Sequence, residues 1–147
     1  MDLDKTDAAI IDVLEENARL SLRKIAIKVG VSVATAMHRL NKLEKEGIIK
    51  RYSAIIDYDK AGYDLQALID IRVSKGKLIE VEKKIATHPN VCAVYDVTGP
   101  FDAIVLARFK NRKGLDSFVK KIQTYDFVER TETKLILNTI KEAQLRV

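Results

Sequence analysis

The stretch from Leu22 to Gly47, LRKIAIKVGVSVATAMHRLNKLEKEG, constrains the chain more than any other. Leu22, Ile25, Ala26 and Val29 recur at i, i+3, i+4 and i+7, the spacing of one buried helix face. Ser21 offers a hydroxyl to cap that helix, and Gly30 stands where a residue of positive φ is wanted to end it. Ser32 opens a second helix that closes before Gly47, with Ala36, Met37, Leu40 and Leu43 as its apolar stripe. The other stripe is Thr35, His38, Arg39 and Lys42, with no acid before Glu44. Two short amphipathic helices meeting at Gly30-Val31-Ser32 have the layout of a helix-turn-helix, whose second helix enters a DNA major groove. A polar face is more often simply solvated, so the flanks matter. The run Ile48–Asp57 is β-prone and opens with Lys50 and Arg51, as expected of a wing strand.

Charge sorts along the chain in the same sense. Residues 1–18 carry six acids against one lysine, whereas residues 19–52 carry nine cations against two acids. A net charge of +5 that is concentrated on the two helices and the wing fits a polyanion, whose neutralised phosphates release counterions. A composition of 47% hydrophobic and 32% charged residues over 147 positions is that of a soluble protein of one or two small domains. No apolar run approaches a membrane span, and the opening MDLDKTD resembles no signal or transit peptide. The single Cys92 lies in an apolar run and is expected to pack within a strand. One cysteine makes no internal disulfide, and no cluster of metal ligands stands out. The expectation is a cytoplasmic protein without metal, cofactor or membrane partner.

In chain order, a first helix is expected from Lys5 to Asn17, capped by Asp4, with Asp7 favouring the positive end of its dipole. The three helices and the wing make a head over residues 1–56. Asp57-Tyr58-Asp59-Lys60-Ala61-Gly62-Tyr63-Asp64 breaks periodicity and is expected to be a hinge. Residues 65–147 then alternate. Strands are expected over Gln66–Val73, Val91–Val97, Ala103–Phe109 and Val128–Ile140, and helices over Leu78–Thr87, before Pro89, and Leu115–Tyr125. The order β-α-β-β-α-β is the ferredoxin-like unit, an α/β sandwich with both helices on one side of a four-stranded antiparallel sheet. The whole is therefore an α+β chain with a winged helix-turn-helix head.

The strands are apolar on both sides. Val91, Ala93, Tyr95 and Val97 are offset by Cys92 and Val94, and Ala103, Val105 and Ala107 by Ile104 and Leu106. Helices cover one face only, so a second copy of the chain is expected over the other.

Five segments in order resemble the Lrp/AsnC ("feast–famine") family of prokaryotic transcriptional regulators: LDKTDAAIIDVLEENAR, SLRKIAIKVGVSVATAMHRLNKLEKEGIIKRYSAIID, DYDKAGY, TGPFD and ERTETKLILNTIKE. The likeness runs nearly end to end. It implies regulation of transcription through double-stranded DNA, by homodimers that assemble into tetramers, octamers or rings. It also implies a small effector, usually an amino acid, bound between dimers. On these positions the resemblance assigns Ser32, Thr35, His38, Arg39 and Lys42 to the recognition helix. Arg39 is the expected base reader, since a guanidinium grips guanine bidentately. Ser21, Arg23, Lys50 and Arg51 would hold phosphates. The effector site carries over to Thr98, Gly99, Pro100 and Asp102 in the turn and to Thr131 and Thr133 in the last strand. There backbone N–H groups meet a carboxylate and Asp102 accepts from an ammonium, although Pro100 removes one donor.

Two rival classes fit less well. RNA-recognition sheets share the topology but stack bases on aromatics, and the central strands here offer only Tyr95 and Phe109. An enzyme needs a nucleophile or a metal near His38 or His88, and neither histidine has such a partner in the sequence.

Overall fold

The structure, a computed structural model, describes residues 2–147. Helices α1 (Lys5–Glu16), α2 (Leu22–Val29) and α3 (Val33–Lys45) come first. Then follow β1 (Leu65–Val73), α4 (Leu78–Ala86), β2 (Val91–Asp96), β3 (Ala103–Phe109), α5 (Arg112–Gln123) and β4 (Val128–Leu135). The chain divides into two compact units: one reaches Ile55 and takes in Lys141–Val147, and the other is Ile56–Ile140.

In the first unit each helix is started by a side chain. Asp4 and Asp7 form a reciprocal capping box on α1, Ser21 Oγ accepts from Lys24 N–H, and Ser32 Oγ accepts from Thr35 N–H. Gly30, at φ +79°, ends α2 with its N–H on Ala26 O at 2.8 Å. Ile10, Ile25 and Leu43 bring one buried side chain from each helix to a common centre.

The segment after α3 differs from expectation. Among the described residues, Arg51–Asp57 belongs to no strand. A strand needs a ladder partner, and this chain supplies none here. Tyr52 anchors the start of the segment instead, its hydroxyl donating to Glu44 Oε1 at 2.7 Å. Burial first, and then the Glu44 carboxylate, push its phenol up to about 12.

The second unit is a four-stranded antiparallel sheet of order β2-β3-β1-β4, the ferredoxin-like arrangement. Ile69, Ile71, Val105 and Phe109 form its core with Val81 and Ile85 of α4 and Phe118 and Ile122 of α5. The expected hinge is pinned to this unit: Arg108 reaches Tyr63 O at 3.2 Å and Asp59 Oδ1 at 3.3 Å and lies over the Tyr58 ring.

Three strand details depart from the sequence pattern. The β2–β3 register shifts between Val91 and Ala93. Val91 therefore packs with Val94 against the core, whereas Ala93 and Tyr95 pair with Leu106 and Ile104. Cys92, at the shift, is exposed rather than packed. The last strand ends at Leu135, with one further bond from Ile136 N–H to Gln66 O, so Leu137 and Ile140 lie beyond it and exposed. Helix α5 starts earlier than its apolar pattern, because Asn111 Oδ1 caps it at Gly114 N–H.

The sheet face opposite the helices is divided. Leu68, Ala93, Tyr95, Ile104 and Leu106 form an apolar half, and Asp70, Arg72, Arg130, Glu132 and Lys134 a charged one. Asp70, almost fully buried, pairs with Lys134, and this ion pair raises the lysine's pKa.

Candidate functional site

In the head, α2 and α3 meet at Gly30 with both N-caps made by serines, so Ser21 and Ser32 serve the fold before any ligand. Ser32 also donates to Thr35 Oγ1 at 2.9 Å, which holds Thr35 half-buried at the start of α3. His38 and Lys42 are exposed on α3, Arg23 is exposed on α2, and Lys50 and Arg51 are exposed beyond α3.

Arg39 has a different setting from the one its sequence position implies. Its Nη1 bonds the Asp4 carboxylate and lies 3.4 Å from both oxygens of Asp7, the buried half of the α1 capping box. The bond from Asp7 N–H, and after it the Arg39 guanidinium, hold Asp4 below its usual 3.8. The reciprocal bond to Asp4 raises the Arg39 pKa. The guanidinium is thus an inter-helix tie in this structure, turned toward α1 rather than outward. Met37 is 47% exposed, although the spacing had placed it in the apolar stripe. Ala34 and Asn41 are also exposed, each about one turn from His38 on the same side. Their only sequence signal was their place opposite Ala36, Leu40 and Leu43.

In the second unit the turn between β2 and β3 is held by backbone hydrogen bonds. Val97 N–H donates to Asp102 O at 3.0 Å, and Asp102 N–H to Ile71 O at 2.9 Å. The β1–β3 ladder stops at Ile71–Ala103, and there Asp102 Oδ2 accepts the next β1 donor, Val73 N–H, at 2.8 Å. Arg72 Nε donates to Pro100 O at 3.1 Å, and Arg130 lies 5.6 Å from the Phe101 ring. Thr98, Gly99 and Pro100 are exposed, and Gly99 has φ +109°, a conformation that favours glycine. Arg72, Phe101 and Arg130 are additions to the sequence reading, and only the sheet register reveals them.

Thr131 and Thr133 pair with Ile71 and Ile69 and so share the helix-bearing side. Thr131 Oγ1 accepts from Gln123 Nε2 of α5 at 3.0 Å. Strand β1 separates β4 from β3, which puts the threonines about 10 Å or more from the turn within one chain. The turn residues are therefore gathered together, and the threonines stand apart from them. His88 is structural: its Nδ1 accepts from Asn90 N–H at 3.2 Å and its ring meets Phe118. Burial, and then Lys121, lower its pKa.

A serine-capped two-helix corner followed in the chain by a ferredoxin-like domain with a glycine turn defines a class: transcriptional regulators with a DNA-binding head and a ligand-binding domain. The comparisons agree. Residues 3–50 match the winged helix-turn-helix DNA-binding model, and residues 66–145 match the Lrp/AsnC ligand binding domain. An uncharacterised HTH-type transcriptional regulator of Pyrococcus furiosus is 42% identical over 142 residues, 97% of this chain and 96% of that one. The structure of Escherichia coli AsnC superposes with a TM-score of 0.93 at 26% identity, covering 100% of both chains. A transcriptional regulator of Neisseria meningitidis, solved in complex with L-methionine, gives 0.89 at 28% identity over 97% of this chain and 94% of that one. The chain belongs to the Lrp/AsnC family and is a transcriptional regulator. No helix among the described residues is long and apolar enough to cross a membrane.

Proposed function

We propose that this regulator works in the cytoplasm as a homodimer, or as a tetramer or octamer of dimers, whose hold on double-stranded DNA responds to an amino acid. Support for the dimer is the apolar half of the open sheet face, where Tyr95 is 57% exposed. A second copy related by a twofold axis covers it and sets two heads on two half-sites about one helical turn apart. Ser21, Arg23, Lys50 and Arg51 then meet phosphates, and Thr35, His38 and Lys42 lie at the groove.

The observation that carries the effector reading is the turn itself. Gly99 leaves open space above its backbone, and the Asp102 carboxylate, three residues on, has one oxygen on Val73 N–H. The methionine complex of the Neisseria regulator supports an amino acid as the ligand class. Thr131 and Thr133 enter the site only from a second dimer, since within one chain they stand apart from the turn.

The test is a thermal-shift screen of the twenty amino acids, with native mass and titration of the protein's own promoter DNA. One amino acid should raise the melting temperature, change the assembly and shift DNA affinity. Lys50→Ala should weaken all sequences about equally and lower the slope of log affinity against log salt by about one. No binding to duplex DNA at any salt would overturn the reading.

A further inference from the structure

Of the residues that face directly away from the head on α3, only His38 is among those assigned to the recognition helix. At about 100° per residue, Ala36, Leu40 and Leu43 point inward, and Ala34, Met37, His38 and Asn41 lie opposite. Arg39 is set to one side, tied to Asp4 and Asp7. The outward row thus has two apolar side chains, one imidazole and one carboxamide, and no guanidinium. Exposed cations at Arg23, Lys42, Lys45 and Lys50 flank it. The middle of this surface carries no lysine or arginine.

Each of these side chains has a matching base edge. A carboxamide bonds adenine bidentately at N6 and N7, and an apolar side chain meets the C5-methyl of thymine. From Ala34 to Asn41 the helix rises about 10 Å, close to three base-pair steps. Ala34 and Met37 lie in the N-terminal half of the helix, which reaches deepest in helix-turn-helix complexes. An exposed methionine on a charged head also costs solvation unless something apolar meets it.

We propose that Asn41, Met37 and Ala34 set the operator preference of this regulator by reading A·T pairs, adenine by Asn41 and thymine methyls by Met37 and Ala34. Arg39 is a positioning residue that fixes α3 against α1. The inference rests on the head being a duplex-DNA reader and names what it reads.

The test selects binding sites from random duplex DNA with the full-length protein, then repeats the selection with variants. Wild type should enrich an adenine at one fixed position of each half-site, and Asn41→Ala should lose about tenfold of that preference while keeping its melting temperature. Replacing thymidine by deoxyuridine removes only the C5-methyl. It should weaken wild type by about fourfold at one position and leave Met37→Ala insensitive there. Arg39→Lys, which keeps a cation for both carboxylates, should select the wild-type site. An unchanged adenine preference in Asn41→Ala, or a guanine position that Arg39→Lys abolishes, would overturn the proposal. Binding to DNA without any selected site would overturn it too, whereas absence of all duplex binding would strike the broader reading first.

Discussion

The head and the sheet unit bury apolar side chains on different scales. In the head the fully buried cluster is Ile10, Ile25 and Leu43, one from each helix, whereas in the sheet unit thirteen residues from two strands, β1 and β3, and two helices make a continuous core. The smaller core leaves more for polar groups to do: both serine caps, the Asp4–Asp7 box and the Arg39 tie sit at helix junctions. In the sheet unit the corresponding polar groups lie at ladder ends and turns, as with Asp102 on Val73 N–H and Asn90 on Arg108 O. Residue chemistry alone therefore does not separate function from fold in the head. The same serine or arginine suits a phosphate and a helix end equally well.

The sharpest way to break that contrast is to remove one core side chain from each unit. Leu43→Ala should cost about 2–5 kcal/mol and Phe118→Ala about 3–5 kcal/mol. The first loss falls on a head with two other large buried residues and should abolish its melting transition and DNA binding together. The second falls on the larger core, and the sheet unit should still melt cooperatively at a lower temperature. Calorimetry of both variants decides. If Leu43→Ala left a cooperative head, the small cluster would not be what holds it.

Arg39→Ala comes next. It strips the buried Asp7 of its cation and should lower the head's melting temperature at neutral pH, with Arg39→Lys restoring much of the loss. Asp4 is held below its usual value in the folded head, so its share of the stability is present above about 3.8 and is lost as pH falls. The gap between wild type and variant should therefore narrow at pH 3. A gap that does not change with pH would mean the arginine stabilises by packing alone.

The turn of the sheet unit supplies a test of coupling. If an amino acid binds there, DNA and effector must change each other's affinity by the same factor, typically five- to 150-fold. Asp102→Ala should abolish that response and also loosen the β1 end, since Val73 N–H loses its acceptor. Asp102→Asn keeps an acceptor for Val73 but lowers the charge offered to an ammonium. It should therefore weaken the response while keeping the melting temperature. Equal responses in wild type and Asp102→Asn, by promoter titration with and without the amino acid, would remove the carboxylate from the site.

Much of this architecture was legible in periodicity and caps. The helix-turn-helix follows from two i, i+3, i+4 patterns separated by Gly30 and Ser32, and the ferredoxin-like order from alternating strands broken by Pro89 and the glycine turn. Residue-level placement was less legible, for identifiable reasons. A charged residue on a helix looks the same whether it faces water or an acid in a helix far along the chain, so Arg39's partners were hidden. One step of about 100° separates a core stripe from an exposed one, which is how Met37 came to be counted inside. The register shift at Cys92 turns Val91 to the face opposite Ala93, and no residue type there announces it. The strand expected after α3 failed because β-propensity describes a segment, while a strand also requires a neighbour.

The smallest expected effect concerns pH and divides the two units most finely. Between α4 and β2, Glu82 shares a shallow groove with Asp96 of β2, beside Lys83, Ile79, Ala86 and Val94. Burial first, and then the bond and charge of Asp96, push the Glu82 carboxyl up from the usual 4.5 to about 7. The folded state therefore holds a proton there that the unfolded chain has released. Stability from this group is fully present below about 4.5 and is lost as pH rises through about 7. That sign is opposite to the one for Asp4 in the head. Between pH 4.5 and 7.5 the sheet unit's transition should drift downward, and towards pH 3 the head's transition should fall. Glu82→Gln keeps the hydrogen-bond donor without the charge and should flatten the sheet unit's drift, leaving the head unmoved. The change should be modest, since solvent screens a groove open on one side. The measurement is calorimetry of wild type and Glu82→Gln at half-unit pH steps. A sheet transition in the wild type that stays level across that window would mean the two carboxyls are solvated separately and share no proton.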